Sequence, residues 1–232
     1  MALNMTEVAG AQTQGAPASG IVEIAEHLRR SSVLIGGGRG GRGGSGVIWE
    51  TSANKGVIIT NAHLVKDRRA YVTLRDGQTS EGRVTSLDAR SDLAALTIET
   101  GGLPVATIGD SDTLRVGELV FAVGNPLGLV GALAVGIVHV SGKQWIGVDV
   151  RLAPGNSGGM LADAEGHVVG INSMIANGLA LAVPSNAVER FLARDARPQL
   201  GIKIRALPMT RDGSDALGLL VFDVQSGSVA EK

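Results

Sequence analysis

Cysteine is absent from the 232 residues, which excludes a disulfide framework and any thiolate-based metal site. Charge of either sign is scarce in the balance: 21 Lys and Arg face 22 Asp and Glu, a formal net charge of −1. That gives no reason to expect nucleic acid or an anionic membrane as the main partner. No apolar run approaches the roughly 18 residues needed to span a bilayer. The four histidines, His27, His63, His139 and His167, are scattered without metal-ligand spacing, so no metal and no cofactor is expected. The first twenty residues hold no Lys or Arg and no continuous apolar stretch, so they do not read as a secretory signal. Either the protein is cytoplasmic, or a signal was removed and a start Met supplied; the compartment stays open.

Glycine, by contrast, is abundant: 34 residues, about twice the ordinary share, with aromatics at only 3 %. High glycine beside many Val, Ile, Leu and Thr in short runs predicts an all-β protein with numerous tight turns. Residues 1–20 read as a disordered polar tail. Apolar residues at 21, 24, 25 and 28 then predict a short amphipathic helix over 21–30. From residue 31 two successive sets of about six short strands, roughly 31–110 and 115–190, suggest two barrels of similar size. A helix is expected over 186–196, and 193–198, with Arg197-Pro198, reads as a linker. The run GGGRGGRGGSG (36–46) matches a dinucleotide fingerprint only trivially, because a strand and not a helix follows it. It reads as a surface loop.

The stretch LAPGNSGGM (152–160) carries Ser157 between glycines. It fits the G-x-S-x-G elbow of an α/β-hydrolase, whose triad runs Ser, acid, His. Yet His167 is the one histidine after Ser157, ten positions on, with no room for the elements that should separate triad members. The opposite order, His then Asp then Ser, is available. His63 in VIITNAHLV stands just past a predicted strand, and Asp92 in SDLAALTI just before one. Both belong to the first set of strands and Ser157 to the second, as a site in the cleft of a double barrel requires. An activated serine needs a base, and the base an orienting carboxylate. His63, Asp92 and Ser157 are therefore the candidate triad.

These motifs, with TNAHLV, SDLAALTI, APGNSGGM, LRVGELVFAVGNPLGL and GLALAVPSNAV, resemble those of the HtrA/Deg-type (high-temperature-requirement) trypsin-like serine proteases over about residues 21–225. The resemblance implies a chymotrypsin-like double β-barrel over 21–192, with a short N-terminal helix. It implies endopeptidase activity on unfolded or damaged proteins, as in protein quality control, and a homotrimer. A periplasmic or extracytoplasmic setting would follow from it. The oxyanion hole would lie at Gly155, Asn156 and Ser157, with Gly155 and Ser157 giving the N–H groups. A pocket of Leu152, Ala153, Ile171 and Leu181 would accept small aliphatic residues. Loops near 124–133, 142–156 and 173–180 would order the hole.

Several positions depart from the family pattern: Met160 stands for Pro, Ala153 for Asn, and Arg151 for a small residue. Arg151 reads as an exposed side chain. Asn156 precedes the nucleophile where digestive relatives have an Asp that pairs with a new N-terminus, so zymogen activation is not expected. Residues 199–232 resemble the start of a PDZ domain, with QLGIKI as its carboxylate-binding loop and strand, and stop where its first helix would begin. An incomplete PDZ-like segment, from a truncated or partial sequence, is the expectation. The rival reading is a chaperone-like, peptide-binding scaffold resting in a non-hydrolytic loop arrangement.

Overall fold

A computed structural model describes residues 17–36, 43–65, 67–195, 202–211, 214–224 and 230. It divides into two compact units, residues 1–188 and 189–232.

The first unit opens with helix α1 (Pro17–Arg30), which starts four residues before the predicted helix and so shortens the predicted tail. Proline suits the first helical position, where its missing N–H costs nothing, and this signal at Pro17 explains the earlier start. His27, Arg29 and Arg30 fill the last turn, favourable at the negative end of the helix dipole. Ala25 and Leu28 are buried on the inner face.

Six antiparallel strands then close the first barrel: β1 (Ser32–Gly36), β2 (Gly44–Thr51), β3 (Gly56–Thr60), β4 (Arg69–Thr73), β5 (Thr79–Asp88) and β6 (Leu93–Ile98). Around the barrel their order is β1-β2-β3-β6-β5-β4. The second barrel holds β7 (Leu119–Gly124), β8 (Ala132–Ser141), β9 (Ile146–Val148), β10 (Met160–Ala162), β11 (Val168–Ala176) and β12 (Leu179–Pro184). Its order, β7-β8-β9-β12-β11-β10, repeats the first with every strand advanced by six. The all-β double barrel expected from the sequence is therefore observed. Residues 44–46, expected in the surface loop, belong instead to β2.

Alternation explains the inner faces. In β4, Ala70 and Val72 face inward while Arg69 and Tyr71 are exposed. Val33, Ile35, Ile48, Ile58, Val72, Leu96 and Ile98 fill the first barrel. Val120, Val138, Ile146, Val148, Leu161 and Val169 fill the second. Helix α2 (Ser185–Asp195) follows β12 and contains the boundary between the units. At its start the Ser185 hydroxyl donates to the Gly109 carbonyl at 2.7 Å.

In the second unit, β13 (Ile202–Arg211) and β14 (Ser214–Val224) form one antiparallel hairpin. Its apolar side chains are largely exposed: Leu217 at 71 %, Leu219 at 64 % and Phe222 at 61 %. Residues 196–201 and 225–229, which carry parts of the expected linker and PDZ-like segment, lie outside the described residues.

Candidate active site

Strand ends supply the first two groups of the site. His63 sits in a single 3-10 turn (Ala62–Leu64) directly after β3, and Asp92 immediately precedes β6. Because β3 and β6 are neighbours, with Thr60 opposite Ala94, the two side chains emerge side by side. His63 Nδ1 lies 2.9 and 3.0 Å from the two Asp92 carboxylate oxygens, and its backbone N–H donates to the same carboxylate at 3.1 Å.

Asp92 has a left-handed backbone, φ 54°. Such a conformation costs an ordinary residue about 1–3 kcal/mol and persists only where neighbours hold it. Here the Asp92 carbonyl accepts the Asn61 side-chain amide at 2.9 Å and the Ala62 N–H at 3.2 Å. Asn61 is fully buried. It thus locks the acid from its own first-barrel side.

The second barrel reaches the same carboxylate through Ser173, whose hydroxyl donates to Asp92 Oδ2 at 2.5 Å. Ser173 occupies a bulge in β11: Asn172 pairs with Ala182 and Met174 with Leu181, leaving Ser173 as the extra residue. A bulge re-aims the groups of the inserted residue. Both groups are used, because the Ser173 carbonyl accepts the Ser157 hydroxyl at 2.9 Å. No hydrogen bond joins Ser157 Oγ to His63 among the described residues. Ser173 was not legible beforehand: it lies 81 positions from Asp92, and only tertiary pairing brings the two together.

The imidazole of His63 is about half exposed. Hydrogen bonding to Asp92 raises its pKa above 6.5, against the opposing effect of burial. Burial pushes the Asp92 carboxyl up, yet the hydrogen bonds from His63 and Ser173 outweigh it and leave the pKa below 3.8. The pair favours His63 as an acceptor of protons and Asp92 as a fixed anion.

Ser157 lies between β9 and β10, with its carbonyl held by the Ser45 N–H at 2.8 Å. Gly155 has φ 105° and Gly158 has φ 81°. A Cβ on Gly158 would overlap the Ser45 carbonyl oxygen and the Thr60 hydroxyl, so only glycine fits there. Among the described residues, the N–H groups of Gly155 and Ser157 have no partner within the protein. Paired free donors next to a nucleophile are what a tetrahedral oxyanion requires. The Asn156 N–H is not free, since it donates to the Ala153 carbonyl at 3.0 Å. Asn156 is thus a structural part of this loop and not a donor to the hole.

The expected pocket is only partly assembled. Leu152 is half-buried against the second barrel's core, Ala153 is exposed and Leu181 is half-buried. Ile171 is fully buried, opposite Met160 and Val183, so it lines no open surface. Arg151 is exposed. Among the described residues no three His, Cys, Asp or Glu cluster as metal ligands, and no helix is long and apolar enough to cross a membrane.

Comparison with known proteins agrees with this fold. Residues 44–171 match the trypsin-like peptidase domain. The chain is 36 % identical over 225 residues to the putative serine protease HhoA of Synechocystis, covering 82 % of this chain and 56 % of HhoA. It is 33 % identical over 203 residues to a probable periplasmic serine endoprotease DegP-like of Chlamydia muridarum, covering 76 % and 41 %. It is 37 % identical over 199 residues to the serine protease Do-like HtrA of Lactobacillus helveticus, covering 73 % and 48 %. The chain spans about half the length of these relatives. On the double barrel, the matched domain and these relatives together, the chain belongs to the trypsin-like peptidases, in their HtrA/Deg-type branch.

Proposed function

We propose that the protein is a serine endopeptidase that cleaves unfolded or damaged polypeptides through an acyl-enzyme. The observation that carries this reading is the cluster in which one carboxylate, Asp92, accepts His63 from the first barrel and Ser173 from the second, with Ser157 bonded to Ser173. In this reading the Ser157 hydroxyl turns from the Ser173 carbonyl to His63 Nε2, which takes the proton as Oγ attacks the peptide carbonyl. Gly155 and Ser157 N–H groups stabilise the oxyanion. The C–N bond then breaks, and His63 returns the proton to the leaving amine. Water, deprotonated by His63, hydrolyses the ester and frees Ser157. Asp92 fixes the imidazole tautomer and stabilises its charged form throughout.

Leu152, Ala153 and Leu181 are proposed to line a pocket for small aliphatic side chains. The trimeric assembly of the resembled family, an extracytoplasmic setting like that named for the DegP-like relatives, and a PDZ-like identity for the C-terminal segment are parts of the same proposal. No nucleic acid or cofactor has a role in it.

A second reading, a chaperone-like scaffold at rest, is favoured by one observation: the Ser157 hydroxyl is bonded to Ser173 and not to His63. Casein degradation at neutral pH, with Ser157→Ala alongside, separates the two. Cleavage by the parent and none by the variant is the expected outcome. Equal cleavage by both would overturn Ser157 as nucleophile. No cleavage by either, with casein aggregation still suppressed, would favour the scaffold.

A further inference from the structure

Ser45, at the start of β2, is fully buried, and its hydroxyl uses all its hydrogen-bonding capacity between three segments. It donates to the Gly155 carbonyl at 2.7 Å. It accepts the Asn125 backbone N–H at 2.7 Å and the Asn125 side-chain amide at 3.3 Å. The backbone of Ser45 is committed as well: its N–H holds the Ser157 carbonyl, and its own carbonyl accepts the Thr60 hydroxyl at 2.6 Å.

The decisive unit is the peptide plane between Gly155 and Asn156. It separates the two proposed oxyanion donors, Gly155 N–H on one side and Ser157 N–H on the other. Its carbonyl is tied to Ser45 and its N–H to the Ala153 carbonyl. Gly155, with φ 105° and no side chain, has little of its own to resist rotation of that plane. A net change in the torsions that flank the plane, ψ of Gly155 and φ of Asn156, would turn the two donors relative to one another. Among the described residues, the Ser45 hydroxyl is the one side-chain group that holds the plane.

The grip extends outward from Ser45. Asn125, itself buried, donates its side-chain amide to the Val33 carbonyl at 2.8 Å and accepts the Gly131 N–H at 2.9 Å. The Gly131 carbonyl in turn accepts Arg29 Nε from α1 at 2.6 Å. A continuous run of hydrogen bonds therefore connects the N-terminal helix, the 125–131 loop and the loop of the nucleophile.

We propose that Ser45 is a positioning residue for the oxyanion hole, holding the Gly155–Asn156 peptide so that the Gly155 and Ser157 N–H groups face the reacting carbonyl. The inference rests on the peptidase reading above. Its action is confined to the transition state, because a ground-state carbonyl draws far less on the hole than a tetrahedral oxyanion does.

The test is Ser45→Ala, with kcat and KM measured on a peptide substrate and affinity measured for two ligands. One is a peptide boronic acid, which forms a tetrahedral adduct on the nucleophile; the other is the matching product peptide. Removing a whole oxyanion donor costs about 10²–10³ in kcat, so a donor left in place but unheld is expected to cost about 10–100-fold. Boronate affinity should fall by a similar factor, while KM and product affinity stay within about twofold. Ser45→Thr, which keeps the hydroxyl, should recover most of the loss. If Ser45→Ala does not fold, Ser45→Cys, nearly the same shape but a weak donor, should show the same split. Unchanged kcat and boronate affinity would overturn the inference, as would an equal loss of product affinity, which marks general loosening. Failure of the peptidase reading looks different: the parent, with Ser45 intact, would then not cleave at all, or Ser157→Ala would cleave as well as the parent.

Discussion

His63 keeps its proton to a higher pH than a free imidazole because the Asp92 carboxylate accepts it, and this has opposite consequences for stability and for catalysis. The stabilisation from the charged pair is complete below the unfolded value of 6.5 and fades as pH rises through the raised folded value. For Asp92, stabilisation is present above 3.8 and is lost as pH falls through its lowered value. Both contributions are therefore full only between those limits. The base works when neutral, so the acid limb of kcat/KM is expected to have its midpoint above 6.5. Asp92→Asn should move that midpoint down and lower kcat by about 10⁴, the cost found when a triad loses its orienting carboxylate. A pH–rate profile of parent and variant checks both; a midpoint that does not move would detach Asp92 from His63. At this scale the chemistry-bearing types were legible, because His63, Asp92 and Ser157 each stand in a local motif. Ser45 and Ser173 were not, since an isolated serine in a strand carries no local mark. Their partners lie 110 and 81 positions away.

Among the elements, α1 is held chiefly by its buried apolar face, Ala25 and Leu28. Leu28 is fully buried, whereas Arg29 and Glu26 hold the helix through more exposed contacts, with Glu26 bridging Arg29 and Arg75 at 2.8 Å each. Exposed ion pairs contribute little against the entropy of two long side chains. The apolar contact dominates. Leu28→Ala should destabilise the protein by about 2–5 kcal/mol, the range for deleting a buried leucine, as read by urea unfolding. A loss under 1 kcal/mol would show that the site collapses around the missing atoms or that α1 is dispensable. Period and turn chemistry made the strands legible, and residues at 21, 24, 25 and 28 made the helix legible. The helix start was missed because a Pro, Ser and Gly cluster reads equally as a loop. Ile171 is fully buried, and because most of β11 is buried on both faces the sequence does not mark which of them meets the cleft.

Taken whole, the molecule repeats one six-strand order twice, and then departs from that economy of exposed apolar surface in its terminal hairpin. A hairpin of two strands is marginal in water unless its faces are covered, and contiguous apolar exposure marks a surface that binds something. Leu219→Glu with Phe222→Glu is expected to lower the binding of a hydrophobic dye and any self-association, with casein cleavage within about twofold of the parent. Unchanged dye binding would locate the apolar surface elsewhere. The division of the site between barrels has a consequence for the growing chain. Domains tend to take shape from the N-terminus as they emerge from the ribosome. His63 and Asp92 would be folded and waiting while Ser157 and Ser173 were still being made. On the proposed mechanism no nucleophile is in place until the second barrel closes, so a half-made copy would be harmless to its neighbours and to itself.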